Sequence, residues 1–155
     1  MARSLTALAA TVVVALLAVT GASGGKPIRE PLFIESFELP NICPFPVFID
    51  VTANNEFVTL FDDGRLHVTG KLFVTVTNMD SGESLELNIS GPAVITPDSE
   101  RIFGRGLFFL FPEDAGGPGL ILTTGRVDVV RAADGSVDEL TVRGQTVDVC
   151  AELAD

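Results

Sequence analysis

The chain has 155 residues, a common size for one domain, and its formal net charge of -11 disfavours binding to nucleic acid or to an anionic membrane surface. Hydrophobic residues make up 46% of the sequence and include eleven Phe, whereas Trp and Tyr are absent. This composition predicts a folded core and excludes disorder except at the chain ends.

Residues 1–24 have the pattern of a secretory signal peptide. One basic residue, Arg3, precedes an apolar run over residues 5–19, and small residues such as Gly21 and Ala22 follow it. The run is shorter than the roughly 20 residues that a membrane-spanning helix needs, which favours export with cleavage over anchoring. We therefore expect a secreted, extracellular protein that keeps no membrane attachment after cleavage.

The region after the leader predicts a flexible tether over residues 25–31 and a single β-domain over residues 32–155. Residues 32–39 fit either an edge strand or an extended arm. Pro44 and Pro46 cannot donate ladder hydrogen bonds, so they predict a rigid extended segment that leads into a strand over residues 47–53. The polar run at residues 54–56 predicts a turn.

The central stretch, residues 57–92, predicts a β-meander. From Leu66 to Val76 every second residue is apolar or Gly, and most residues between them are polar, which is typical of a strand with one buried face. Asp and Gly residues at 62–64 and 80–83 suit the tight turns that bound this strand.

The second half predicts further short strands. A strand at residues 93–96 is followed by residues 102–111, an almost wholly apolar run that is typical of a strand buried on both sides or lining an apolar interior. A wide Gly/Pro turn at residues 112–119 precedes strands at residues 120–123, 126–132, 140–143 and 146–151. Gly135 and Gly144 predict turns, and residues 150–153 predict one short helical turn.

This pattern predicts an all-β fold. We expect an antiparallel meander that closes into a small β-barrel of about eight strands, with a two-sheet β-sandwich as the alternative.

The two cysteines, Cys43 and Cys150, predict a structural disulfide in an oxidising compartment. A metal pair or a reactive thiol is the competing interpretation. Neither alternative has supporting neighbours, because the chain holds a single His. The disulfide would place the first core strand beside the last, which favours barrel closure.

Several segments occur together in this chain: ICPFPV, FVTVTNMDSGESLELNISGP, GGPGLILTTGRV and DVCAEL. Together they resemble a family of small secreted, uncharacterised actinobacterial proteins with a Cys-x-Phe-Pro-Val opening sequence and an Asp-Val-Cys ending. The resemblance spans residues 32–153, and Pro44 departs from it where the family usually has Gly. It implies export and a β-scaffold, and it brings no catalytic residue.

Candidate catalytic and metal sites are poorly supported, so we assign no catalytic residue, no metal and no cofactor. The single histidine, His67, lies on the polar face of its strand, which predicts exposure to solvent. Neither Ser90 nor Ser99 has the partners of a catalytic triad. The acidic residues gather at turns, and the run from Asp134 to Glu139 lacks the ligand spacing of a calcium loop, so solvated carboxylates are favoured.

The Phe-rich composition is the strongest functional signal. We predict that a group of Phe residues lines an apolar ligand cavity, although packing in the core is the simpler interpretation: Phe73, Phe103, Phe108, Phe109 and Phe111.

Three functions remain open. The first is binding of a small apolar ligand without catalysis, and the second is a structural or protein-interaction module at the cell surface that binds another surface protein. The third is a barrel enzyme of the cyclase or isomerase kind. An internal cavity above about 300 Å³ favours the first or the third, and a filled core favours the second.

Overall fold

The computed structural model describes residues 26–154, so the predicted signal peptide lies outside the described residues. These residues form nine strands and one short helix: β1 (Ile28–Pro31), β2 (Phe37–Leu39), β3 (Val47–Leu60), β4 (Leu66–Asn78), β5 (Ser84–Asn88), β6 (Ala93–Ile95), β7 (Ser99–Leu110), β8 (Gly119–Arg131), β9 (Val137–Asp148) and α1 (Val149–Glu152). The prediction of an all-β chain with one helical turn at its end is confirmed.

All strands of the described chain join one antiparallel sheet in the order β1-β3-β4-β6-β7-β8-β9. Two short strands pair with different parts of β3: β2 with its first residues, 47–49, and β1 with its last residues, 57–60. The strand β5 pairs with the last part of β4. Within residues 26–154 no pairing joins β9 to β1, so the sheet is open and closure into a barrel is not confirmed. Residues 28–31, which we assigned to a flexible tether, form β1 instead, because their backbone pairs with β3.

The β3–β4 hairpin provides one long wall of the interior. Val47 and Ile49 lie in the core, and a register shift between Val51 and Ala53 then changes which residues face inward, so that Glu56 becomes the buried side chain further along. The turn predicted at residues 54–56 is therefore wrong. These polar residues continue β3, which pairs with β4 without a break as far as Leu60.

The second wall is the three-stranded unit β7-β8-β9, and we infer that it bends at a row of glycines, because two of them depart from the extended backbone of a strand. Gly104 lies opposite Gly125, and Gly125 lies opposite Gly144 on the next strand. The turn predicted at Gly144 is wrong, because this residue lies in the middle of β9. Gly104 and Gly125 have φ values of +90° and +108°, which side chains other than that of Gly rarely adopt. The glycine row thus divides each of the three strands into two segments.

Beyond this row, the two faces of β7 pack in two different hydrophobic clusters. Phe109, with Leu107 beside it, packs against the first cluster, which includes Val74 on β4. Phe108 and Leu110 belong to the second cluster, formed mainly with β8 and β9. Within the apolar run at residues 102–111, residues 106–110 are therefore covered on both sides, as the composition predicts, whereas Phe103 and Phe111 are exposed.

The predicted disulfide between Cys43 and Cys150 is present, with Cα atoms 5.4 Å apart, and both residues are buried in the first cluster. Cys150 lies in α1, whose first turn is capped by the Asp148 carboxylate accepting a hydrogen bond from the Ala151 N–H. The chain segment before β3 and the helix after β9 are thereby held together against the core.

Asp114 corrects one expectation for the acidic turns. Its side chain is buried, and its carboxylate accepts hydrogen bonds of 2.6 Å from the backbone N–H groups of Phe111 and Val137. These bonds tie the β7–β8 connection to the start of β9. Asp114 is therefore a structural residue of the interior rather than a solvated carboxylate.

Candidate functional site

An apolar cavity of about 220 Å³ lies between the β3–β4 wall and the segments of β6 and β7 that face it. Its apolar walls come from branched aliphatic side chains and two aromatic rings: Ile34, Phe37, Ile49, Val51, Val68, Leu72, Val74, Ile89, Ala93, Ile95, Ile102, Leu107 and Phe109. The rings of Phe37 and Phe109 meet edge to face, with centroids 5.7 Å apart. The first cluster is therefore continuous with a wall of the cavity.

One acidic residue on the cavity wall is largely buried, although its carboxylate oxygens still reach water. Glu56 is 7% exposed, and within the described residues its carboxylate makes no hydrogen bond and no ion pair. Burial raises the pKa of the Glu56 carboxyl above its ordinary value, since removal from water disfavours the charged form. An unpartnered acid of this kind is costly in a protein interior, which makes Glu56 the first candidate functional residue.

The two other charged residues of the wall are placed differently. Glu100 receives a hydrogen bond of 3.1 Å from Arg131, so its charge is compensated. Arg105 is exposed as a residue and forms no ion pair with Glu56 within residues 26–154. Neither group is a buried charge without compensation.

A groove of about 490 Å³ lies beside the cavity, under the segment that connects β1 to β2. This segment, residues 32–36, is named the strap here because it crosses the free edge of β3. The cavity and the groove share three lining residues, Ile34, Val51 and Glu56. Glu56 therefore lies where the cavity and the groove adjoin.

The strap is held at both of its ends. The Leu32 N–H donates to the Glu56 carbonyl oxygen at 2.9 Å, and the Asn54 amide donates to the Leu32 carbonyl oxygen at 2.7 Å. At the other end, the Ser36 hydroxyl donates to Asp50 and accepts from the Val51 N–H. Between these anchors the Phe33 ring is 87% exposed at the groove.

The five predicted lining residues lie in different places. Phe109 lies on the cavity wall, whereas Phe108 is buried in the second cluster on the opposite face of β7. The other three rings are each at least 37% exposed on the surface: Phe73, Phe103 and Phe111. The structure thus brings one of the five to the cavity, together with Phe37, which the sequence did not single out.

His67 corrects another expectation. It is half-buried rather than solvent-facing, and its ring packs against Phe61 with centroids 4.4 Å apart. Its Nε2 atom is out of contact with water and has no hydrogen-bond partner in the described part of the chain. His67 lies across from Thr59 and Val94, on the sheet face away from the cavity.

The described residues contain no group of three or more His, Cys, Asp or Glu side chains arranged to hold a metal ion. Across residues 26–154 no helix is both long and apolar enough to cross a membrane.

Glu56 should make the stability of the protein depend on pH in an unusual direction. Because the folded state raises the pKa of Glu56, it binds the proton more tightly than the unfolded state does, and the free energy of unfolding falls as pH rises above the ordinary value of 4.5. We expect Glu56→Gln to resist urea better than the unsubstituted protein at neutral pH, and we expect this advantage to disappear below the ordinary carboxyl pKa.

The check is urea unfolding followed by circular dichroism across this pH range, with Glu86→Gln as the control because Glu86 is exposed on β5. An equal gain from both substitutions at neutral pH would show that burial of Glu56 is not the cause.

The described residues define an all-β protein with an apolar cavity and one buried, unpartnered carboxyl group. The chain matches no protein-family model, no curated protein and no solved structure. The resemblance to small secreted actinobacterial proteins therefore stays a prediction, and function must be argued from the cavity itself.

Sequence reasoning missed Glu56 because the polar run at residues 54–56 has the composition of a turn. A signal for its burial was nevertheless present. The inward residues Val47, Ile49 and Val51 have odd numbers, whereas Val58 and Leu60 continue the apolar pattern with even numbers. A bulge between the two series would have kept one continuous strand and placed Glu56 on its inner face.

Proposed function

We propose that this protein is a secreted binding protein that holds a small apolar molecule in the cavity between the β3–β4 wall and β7. The observation that carries the proposal is the cavity of about 220 Å³ with its aliphatic and aromatic walls. A disulfide is typical of proteins that work in an oxidising compartment, which supports the export predicted from the leader.

The size of the cavity limits the ligand. The cavity of about 220 Å³ falls below the volume of about 300 Å³ that we expected of a ligand-binding interior, although the core is not filled. Pockets for drug-sized molecules measure about 300 to 1,000 Å³, so the interior alone would hold only a smaller molecule. A longer one would extend into the neighbouring groove of about 490 Å³, which shares part of its lining. In this proposal the open sheet serves as an incomplete barrel, because within residues 26–154 no pairing joins β9 to β1.

Native mass spectrometry of the protein purified from culture supernatant tests for a retained ligand. A mass that exceeds the polypeptide mass and returns to it on denaturation supports the proposal. A protein that carries nothing and binds no apolar probe contradicts it, and the surface interaction module then becomes the better hypothesis.

A larger side chain in the cavity should weaken the binding of an apolar ligand. Ala93 is buried on β6 and lines the cavity, so Ala93→Leu introduces a larger side chain into the space for the ligand. We expect hexanol to bind at least about tenfold more weakly to this variant, as measured by isothermal titration calorimetry. Overpacking would cost about 1 to 3 kcal/mol of stability, so circular dichroism must show that the variant is folded.

Val94→Leu is the matched control, because Val94 is the next residue along β6 and faces the opposite side of the sheet. Equal affinity of hexanol for both variants would place the binding site outside the cavity.

A further inference from the structure

Glu56 lies where the apolar cavity meets the groove under the strap, since it lines both. We propose that the ligand is a small apolar amine, whose ammonium group pairs with the Glu56 carboxylate while its hydrocarbon part fills the cavity. This inference rests on the proposed function and names the chemical class of the ligand.

The first argument is the missing partner of Glu56. The residue is 7% exposed, and its carboxylate has neither an ion pair nor a hydrogen bond to another group of the described residues, although its oxygens still reach water. A carboxylate that has lost much of its water without gaining a partner is unfavourable, and a cation that reaches it offsets part of that cost through a charge-assisted hydrogen bond. An alcohol of the same shape offers a weaker bond, and an alkane offers none.

The second argument is the charge around the site. The other titratable groups that line the cavity and the groove are Glu35, Glu100 and Arg105. Glu100 is paired with Arg131, Glu35 is exposed, and Arg105 is exposed and forms no ion pair with Glu56 in the described chain. Among these lining residues, Glu56 is therefore the buried carboxylate that lacks a partner. The net charge of -11 also raises the local concentration of cations.

The third argument is the shape of the site. The hydrocarbon part of the ligand would contact the edge-to-face pair of Phe37 and Phe109, and Glu56 would meet the polar group where the cavity adjoins the groove. A ligand with an apolar body and one cationic end is complementary to a cavity with apolar walls and one acidic residue at its side.

The test compares hexylamine, hexanol and hexanoate in isothermal titration calorimetry with the disulfide-bonded protein at neutral pH. The three probes share one hydrocarbon chain and differ in the charge of the end group. We expect hexylamine to bind about tenfold more tightly than hexanol, and hexanoate to bind most weakly. Lowering the pH should reduce the affinity for hexylamine as Glu56 takes up a proton, and should change that for hexanol much less, because the alcohol carries no charge to pair with the carboxylate.

Glu56→Gln should lose the preference for the amine over the alcohol, and the exposed control Glu86→Gln should keep that preference. Equal binding of amine and alcohol to the unsubstituted protein, or tightest binding of hexanoate, would overturn the inference and leave the proposed function standing. Failure of all three probes to bind would overturn both. The ranking and its pH dependence in the unsubstituted protein decide the question even where the variant does not fold.

Discussion

Replacing both Cys43 and Cys150 with Ala is expected to lower the free energy of unfolding by about 4 to 5 kcal/mol. The disulfide joins residues 107 positions apart, so its loss allows the unfolded chain a much larger set of conformations. The buried sulfurs also pack in the first cluster, and their removal leaves unfilled space there. For a single domain with a typical stability of about 5 to 15 kcal/mol, this is a large part of the total.

The measurement is guanidinium unfolding followed by far-ultraviolet circular dichroism, since the chain has neither Trp nor Tyr to report by fluorescence. A reductant provides the control, because it should destabilise the unsubstituted protein and leave the double variant unchanged. Two free thiols detected in denatured, unreduced protein would contradict the disulfide itself.

The disulfide, the alternating pattern of β4 and the terminal helical turn could all be predicted from the sequence. The alternation and the helical turn depend on residues that are close in sequence, and the disulfide depends on a pairing that has one solution within the chain. The alternation from Leu66 to Val76 belongs to one strand, and two cysteines allow one pairing within the chain. These features give the β-rich class of the fold and the connection between its ends.

The cavity could not be predicted in the same way, because its walls depend on pairing between distant strands. The bulge between Val51 and Ala53 moves Glu56 to the inner face, and a polar run alone does not distinguish a bulged strand from a turn. Gly144 is ambiguous in the same way, because a glycine is common in turns and here lies in the middle of β9.

The scattering of the Phe residues has a related cause. Phe108 and Phe109 are adjacent in sequence and pack in different clusters, because successive residues of a strand point to opposite faces. Which face lines a cavity depends on the bend of β7-β8-β9, and that bend follows from the register that aligns Gly104, Gly125 and Gly144. A composition rich in Phe therefore predicts an apolar interior without indicating which rings line the cavity.

That register makes Gly144→Ala the second substitution with a large expected effect. A Cβ at position 144 would overlap the carbonyl oxygen of Thr124 on β8, and the neighbouring Gly125 already has a φ of +108°. The obstructing atom belongs to the backbone of a paired strand, so it cannot rotate away as a flexible side chain would. We expect the free energy of unfolding to fall by about 2 to 4 kcal/mol, because the strands must separate or the bend must flatten.

Gly119→Ala is the matched control on the adjacent strand β8. A Cβ added there meets no atom within 4 Å, and the backbone lies outside the left-handed region. This change should be neutral or stabilise the protein by up to about 1 kcal/mol, because Ala restricts the unfolded chain more than Gly does. Guanidinium unfolding of the two variants compares them directly, and coincident midpoints would show that close contact at Gly144 does not constrain the sheet. If the bend also shapes the cavity, Gly144→Ala should weaken hexanol binding under conditions where the variant remains folded, since Leu107 and Phe109 lie on the bent part of β7 that forms the cavity wall.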